Sequence, residues 1–212
     1  MIKILVADDH ALLRKALIQL IKDEFPEAEI KEAENGQVAL DILRKEKFSI
    51  AILDMTMPER DGMDVLKQLP VHNITTPVLV LSMHPEELYA QRILRAGGSG
   101  YLSKDCNPEE LIQAIQTILK GEHYISRSFA GKLATIISGK SPQEDMLHEK
   151  LSDRELQVLK LYAQGKTTNE ISDILSITIN SVSTYKGRIR EKLNLKSSAD
   201  MIRFAIDNGL CN

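Results

Sequence analysis

Three aspartates stand where short apolar runs stop. Ile50-Ala51-Ile52-Leu53 runs into Asp54, and Ile2-Lys3-Ile4-Leu5-Val6-Ala7 runs into Asp8-Asp9. Apolar runs of this length read as strands buried on both faces, so the carboxylates end strands. If the two strands lie side by side, three carboxylates share one mouth and repel one another unless a cation sits among them. Hard oxygen donors that leave room for water suit Mg²⁺. A carboxylate so placed can also act as a nucleophile toward a phosphoryl donor, and the charge developing on the phosphoryl oxygens needs further cations or donors. Two candidates end other apolar runs: Ser82 follows Val78-Leu79-Val80-Leu81, and Lys104 follows Gly100-Tyr101-Leu102-Ser103. Singly, these residues have ordinary roles as a helix cap (Asp8), a loop hydroxyl (Ser82) and a solvated charge (Lys104). Together they point to phosphoryl chemistry.

The elements that must position them follow from periodicity. Leu13, Ala16, Leu17, Leu20 and Ile21 mark a first helix buried on one face, and Leu111, Ala114, Ile115, Ile118 and Leu119 repeat the stripe. Strands are predicted at Glu29 to Glu34, Ile50 to Leu53, Val78 to Leu81 and Gly100 to Leu102, besides the N-terminal one, with helices near 36–46, 62–69, 86–96 and 108–120. Five strands alternating with five helices predict an α/β domain over 1–121: a parallel, flavodoxin-like sheet with helices on both faces and its site at the carboxyl ends of the strands. Residues 122–148 read as a linker around Ser141-Pro142-Gln143-Glu144-Asp145, with a short helix from about Phe129 to Ile137. Over 149–212 no strand is apparent. Two capping boxes, Ser152-Asp153-Arg154-Glu155 and Thr167-Thr168-Asn169-Glu170, announce helices; a third helix spans Thr178 to Leu193 and a fourth Ser198 to Asp207, stopped by Gly209. A small all-α, four-helix domain is the expectation.

Charge separates the two ends. Residues 1–125 hold 14 Lys+Arg against 20 Asp+Glu, whereas 149–212 hold 10 against 8, so the acidic and basic ends suit different partners. Between Ser181 and Lys196 stand Lys186, Arg188, Arg190, Lys192 and Lys196 against Glu191 alone, a composition that favours a polyanion. In helical projection Val182, Ile189 and Leu193 fall on one side, with Thr184, Gly187, Arg188 and Glu191 opposite. A capped helix, a short turn and a polar, basic second helix match helix-turn-helix docking in a major groove. Cys106 and Cys211 suggest neither a metal site nor a disulfide framework, which fits a reducing cytosol. No run reaches the roughly 18 apolar residues of a membrane span, and the apolar stretch before Asp8 is too short for a signal peptide. A cytoplasmic protein without a membrane partner is expected.

Asp8-Asp9, Asp54, Met57-Pro58, Gly62, Ser82, Tyr101 and Lys104 resemble the receiver domain of bacterial response regulators. The resemblance implies that Asp54 accepts a phosphoryl group from a sensor histidine kinase. It also implies that Asp9, Asp54 and the Thr56 backbone carbonyl ligate Mg²⁺, with Asp8 acting through water. Lys104 and Ser82 would meet the phosphoryl oxygens, and Ser82 with Tyr101 would form a switch in which the ring rotates inward behind the hydroxyl. Thr56 and His84 occupy positions that border the attacking water and would tune the lifetime of the phosphorylated state. Asp105 stands where the family commonly has proline after a cis bond.

Leu151-Ser152-Asp153-Arg154-Glu155, Gly165-Lys166-Thr167-Thr168-Asn169-Glu170-Ile171 and Val182-Ser183-Thr184-Tyr185-Lys186 resemble the LuxR-type DNA-binding domain. By that resemblance Ser183, Thr184 and Gly187 face bases, while Lys186, Arg188 and Arg190 are available to phosphates. The last helix, through Ala199, Ile202, Ala205 and Ile206, would join two copies, although the residues themselves equally allow that it only closes the four-helix core. The whole resembles a two-component transcriptional regulator of the NarL/FixJ family, not an enzyme of turnover. Its partners would be a kinase, promoter DNA, a second copy when phosphorylated, and the transcription machinery. Two alternatives stay open: a receiver acting through protein contacts, and a metal-dependent phosphatase of the haloacid dehalogenase type. The latter needs a second acid where Thr56 stands.

Overall fold

The computed structural model describes residues 1–83, 86–127, 129–131, 150–175, 177–208 and 210, with the side chains of Glu87, Leu88 and Asp153 left aside. The chain forms two compact units. In the first, β1 (Lys3–Ala7), α1 (Ala11–Glu24), β2 (Glu29–Ala33), α2 (Gly36–Lys45), β3 (Ile50–Asp54), α3 (Gly62–Val71), β4 (Val78–Ser82), α4 (Glu86–Arg95), β5 (Gly100–Ser103) and α5 (Pro108–Leu119) alternate as expected. All strand pairs are parallel, in the order β2-β1-β3-β4-β5.

The strands are apolar along their length because both faces are covered. Ile4, Val6, Ile50, Ile52, Leu79, Leu81 and Leu102 pack with Leu17 and Ile21 of α1 and with Leu111, Ala114, Ile115 and Ile118 of α5. The alternate residues Leu5, Ala51, Leu53, Val78 and Val80 are as fully buried on the opposite face. Each large side chain so removed from water contributes roughly 1.5–3 kcal/mol, enough in sum to hold the strand ends as a rigid rim. The order reverses between β2-β1 and β3-β4-β5, which opens a crevice at the carboxyl ends of β1 and β3. Asp8, Asp9 and Asp54 are carried there.

The packed part of the first unit reaches beyond the boundary expected at 121. Tyr124 forms an isolated parallel bridge with Gly100, and its N–H donates to the Ser99 carbonyl at 2.8 Å. Its hydroxyl donates to Glu110 Oε1 at 3.1 Å; burial first, then the charge of Glu110, pushes the phenol up to about 12. Ser126 bonds Glu86 at the start of α4, and Phe129 is 2% exposed. Residues 127 and 129–131 are helical, while the rest of the helix expected from Phe129 to Ile137 lies outside the described residues.

The second unit holds α6 (Asp153–Ala163), α7 (Thr168–Ile174), α8 (Ile179–Lys192) and α9 (Ser198–Asp207), with no strand among its described residues. Both expected capping boxes form, and Ser197 with Asp200 makes a third that a Glu/Gln pattern does not reveal. Leu156, Leu159, Ile171, Val182, Ile189, Met201 and Ala205 build the core. Gly209, expected to stop α9, lies outside the described residues.

Glu155 serves twice in this unit. Its carboxylate accepts from the Ser152 N–H at 2.6 Å and pairs with Lys192 Nζ at 2.7 Å, tying the first turn of α6 to the last turn of α8. Burial pushes its pKa up, but the bonds from Lys192 and Ser152 outweigh burial and hold it below the ordinary range. A depressed carboxyl stabilises above its unfolded pKa, and that contribution is lost as pH falls through the folded one. Glu155→Ala is therefore expected to cost the helical unit about 2–3 kcal/mol at neutral pH. The cost, measured by urea unfolding, should shrink in acid.

Candidate functional site

Each strand end is held by one further ladder bond. Asp8 N–H donates to the Ala33 carbonyl at 3.2 Å, Met55 N–H to Leu81 at 2.9 Å, and Lys104 N–H to Ser82 at 2.8 Å. With Ala7 opposite Leu53, Asp54 opposite Leu81 and Ser82 opposite Ser103, the register puts Asp8, Asp54, Ser82 and Lys104 on one rim. Lys104 Nζ lies 2.8 Å from both Asp8 Oδ2 and Asp54 Oδ2, and the three side chains are 7%, 1% and 4% exposed. Asp8 Oδ2 has no well-directed hydrogen bond, so its contact with Lys104 is an ion pair off the donor axis. Two buried carboxylates thus share one ammonium. Burial raises the Asp54 pKa against the lowering pull of Lys104, and the charge of Asp8 raises it further. Burial lowers the Lys104 pKa, but its bonds to Asp54 and Asp8 outweigh that and the net direction is up.

Two tight turns aim the carboxylates: His10 N–H donates to Asp8 Oδ1 at 2.7 Å and Thr56 N–H to Asp54 Oδ1 at 3.2 Å. Ligand atoms of Asp8, Asp9, His10 and Asp54 all lie within 4.8 Å of one another. Three carboxylates whose oxygens lie within reach of one point, and an excess of negative charge over the single ammonium, fit a hard divalent cation. His10 is the member that strand-end reasoning missed; the run Asp8-Asp9-His10 was the available signal. Its Nδ1 sits 2.9 Å from Asp9 Oδ1 on an exposed side chain.

Ser82 is buried on the same rim, and Thr56 is exposed at its edge. Tyr101, on β5, is buried. His84 lies outside the described residues. Among the described residues no peptide bond is cis, so the Lys104–Asp105 bond is trans; Asp105 N–H donates to Ser103 Oγ at 3.2 Å.

The loop after Asp54 is pinned from two sides. A Cβ on Gly62 would stand 2.4 Å from the Asp54 carbonyl oxygen, and one on Gly36 would stand 2.1 Å from the Arg60 carbonyl oxygen. Asn35 donates to Glu59 and Arg60 to Gln37, latching the loop to the start of α2. These ties join distant segments, so sequence spacing does not show them.

In the second unit, Ser183, Thr184, Arg188 and Arg190 are exposed on α8, and Val182 and Ile189 are buried as projected. Thr184 Oγ1 donates to the Asn180 carbonyl at 2.9 Å, which leaves its hydroxyl oxygen and methyl for a partner. A Cβ on Gly187 would meet nothing within 4 Å. Lys192 is paired with Glu155, so the count of basic residues overstates the available charge; Lys186 Nζ lies 3.8 Å from the Tyr162 ring centroid. On α9 the expected dimer residues divide. Ala205 is fully buried, packing inside the four-helix core because α9 turns that face onto α6, and this removes it from a dimer surface. Ala199 and Ile206 are exposed and Ile202 is half-buried.

Comparison with known proteins agrees with both halves. Residues 4–116 match the response regulator receiver domain, and residues 149–205 match the bacterial regulatory proteins of the luxR family. Response regulator UvrY of Escherichia coli is 30% identical over 100% of this chain and 97% of its own length. Response regulator GacA of Pseudomonas aeruginosa is 31% identical, covering 99% and 98%. Among solved structures, RcsB from Salmonella enterica serovar Typhimurium, bound to promoter rprA in the presence of phosphomimetic BeF3-, shares the fold. Its TM-score is 0.64 at 22% identity, over 96% of this chain and 98% of that one. A receiver match over half the chain and full-length relatives at this identity make the chain a member of the two-component response regulators of the NarL/FixJ family, in which a receiver and a LuxR-type DNA-binding domain together control transcription.

Proposed function

We propose that Asp54 takes a phosphoryl group from a sensor histidine kinase, and that this modification controls binding of the second unit to promoter DNA. The observation that carries the reading is the buried triad of Asp8, Asp54 and Lys104. In the transfer, an Asp54 carboxylate oxygen forms a bond to phosphorus as the phosphohistidine N–P bond breaks. Lys104 exchanges a carboxylate oxygen for a phosphoryl oxygen, and Ser82 donates its hydroxyl to another. Mg²⁺ would be held by Asp9, Asp54 and the Thr56 carbonyl, with Asp8 through water; when bound it neutralises the crowded oxygens. Thr56, with His84, sets the lifetime of the product.

On the DNA side, Ser183, Thr184 and Gly187 face bases while Arg188 and Arg190 meet phosphates. Phosphorylation shifts an existing equilibrium toward a form whose α8 is available and whose exposed α9 residues, Ala199 and Ile206 with Ile202, join two copies on paired half-sites. The bound dimer then meets the transcription machinery. Control of promoter DNA would place its action in the cytoplasm; among the described residues no helix is long and apolar enough to cross a membrane.

Selection of bound sequences from random duplex DNA, with and without a small phosphoryl donor and beside Asp54→Asn, tests the reading. Enrichment of one palindromic motif only with donor and only with Asp54 is expected. Equal enrichment in all arms would contradict phosphorylation control, and salt-independent or absent duplex binding would favour the protein-contact alternative.

A further inference from the structure

Tyr162 on α6 has no part in the site as derived so far, yet its ring carries the ammonium of Lys186 from α8, with Nζ 3.8 Å from the ring centroid. Ser183, Lys186, Gly187 and Arg190 recur at i, i+3, i+4 and i+7, so Lys186 belongs to the exposed stripe of α8 while sitting at its border with the core. Both partners are half-buried, and Val182 and Ile189 close the helix contact beneath them. The contact therefore stands at the flank of α8, along its seam with α6. A hydrogen bond with Ser198, at the start of α9, is the leading cause of the lowered Tyr162 phenol, with Lys186 adding to it. The ring thus stands between α6 and α8.

We propose that Tyr162 is a positioning residue for DNA: it holds the Lys186 ammonium at the α6–α8 seam, where a sugar–phosphate strand passes a helix lying in the major groove. The inference rests on the DNA-docking role given to α8 under Proposed function. A lysine over an aromatic face gives up one side of its ammonium and keeps N–H donors for an anion. Its long stem is also ordered before the phosphate arrives, which spares binding that loss of freedom. An unsupported lysine at the same position would sample many rotamers. The rival role is a structural clamp, in which the ring withdraws Lys186 from any partner.

Salt titration of full-length, phosphorylated protein against a short mixed-sequence duplex separates the two, because each phosphate neutralised contributes about 0.9 to the slope of log K against log salt. Lys186→Gln is expected to lower that slope by about one phosphate, as is Arg188→Gln. Tyr162→Leu should weaken binding several-fold and add little when Lys186→Gln is already present. Tyr162→Phe, which keeps the ring and loses the hydroxyl, should restore most of the affinity. Thermal melting of each variant checks folding. An unchanged slope in Lys186→Gln while Arg188→Gln lowers it, or equal losses from Tyr162→Leu in both backgrounds, would overturn the proposal and leave α8 as the reading helix. No slope change in any variant would overturn the docking role itself.

Discussion

Asp54→Asn is expected to abolish phosphoryl uptake and, in the presence of a chelator, to raise the melting temperature of the receiver at neutral pH by several degrees. The second effect follows from the rim itself. Asp8 and Asp54, two buried carboxylates, share the single ammonium of Lys104, so the buried group carries an excess of negative charge. Burial, and secondarily Asp8, raise the Asp54 pKa. A carboxyl whose folded pKa is raised binds its proton more tightly in the folded state, so stability falls as pH rises from the ordinary carboxylate value through the raised one. Asparagine removes the charge, keeps the shape and leaves Lys104 paired with Asp8. The melting difference should be full at neutral pH and close as acid protonates Asp54. Divalent cation should reverse its sign, because a ligand that binds the folded wild type better stabilises it by mass action. A variant less stable than wild type in chelator would show that the Lys104 pair outweighs the burial of Asp54.

Much of this arrangement was legible along the chain. Apolar runs ending in Asp8, Asp54, Ser82 and Lys104 fix both strand and rim, because parallel strands covered on both faces must carry their polar residues at their ends. Capping boxes at Ser152 and Thr167 did the same for the helical unit. Contacts between residues far apart in sequence were not legible. Periodicity assigns Lys192 and Lys186 to a basic helix, but the pairing of Lys192 with Glu155 and the stacking of Lys186 on Tyr162 depend on how α6 crosses α8. Ala205 illustrates the same limit: its spacing places it with Ile202 and Ile206, while only packing shows that α9 turns it inward. Tyr124 and Ser126 lie in a segment without periodic signal, yet a bridge to Gly100 and bonds to Glu86 build them into the first unit.

Gly62 gives the strongest expected effect outside the charged residues. Its amide donates to the Met55 carbonyl at 3.0 Å, and a Cβ there would press on backbone alone: 2.4 Å from the Asp54 oxygen, 3.1 Å from its carbonyl carbon and 3.2 Å from Met55 Cα. No flexible side chain can yield, so Gly62→Ala must either lift the start of α3 or push the end of β3. Overpacking of this kind costs about 1–3 kcal/mol. A displacement of order 1 Å at a reacting group costs about 10²-fold in rate. Gly62→Ala is thus expected to slow phosphoryl uptake from a small donor by roughly two orders of magnitude while the chain still folds. Gly36→Ala supplies the contrast, since its Cβ would meet Arg60 on the far side of the same loop, 2.1 Å from the carbonyl oxygen. It should cost as much stability and less rate, because the strain falls on residues 59–61 rather than on the strand end that carries Asp54, the proposed phosphoryl acceptor. Melting temperatures and uptake rates measured on both variants decide the matter: equal rate losses at equal stability would show that the loop, and not the placement of Asp54, limits transfer.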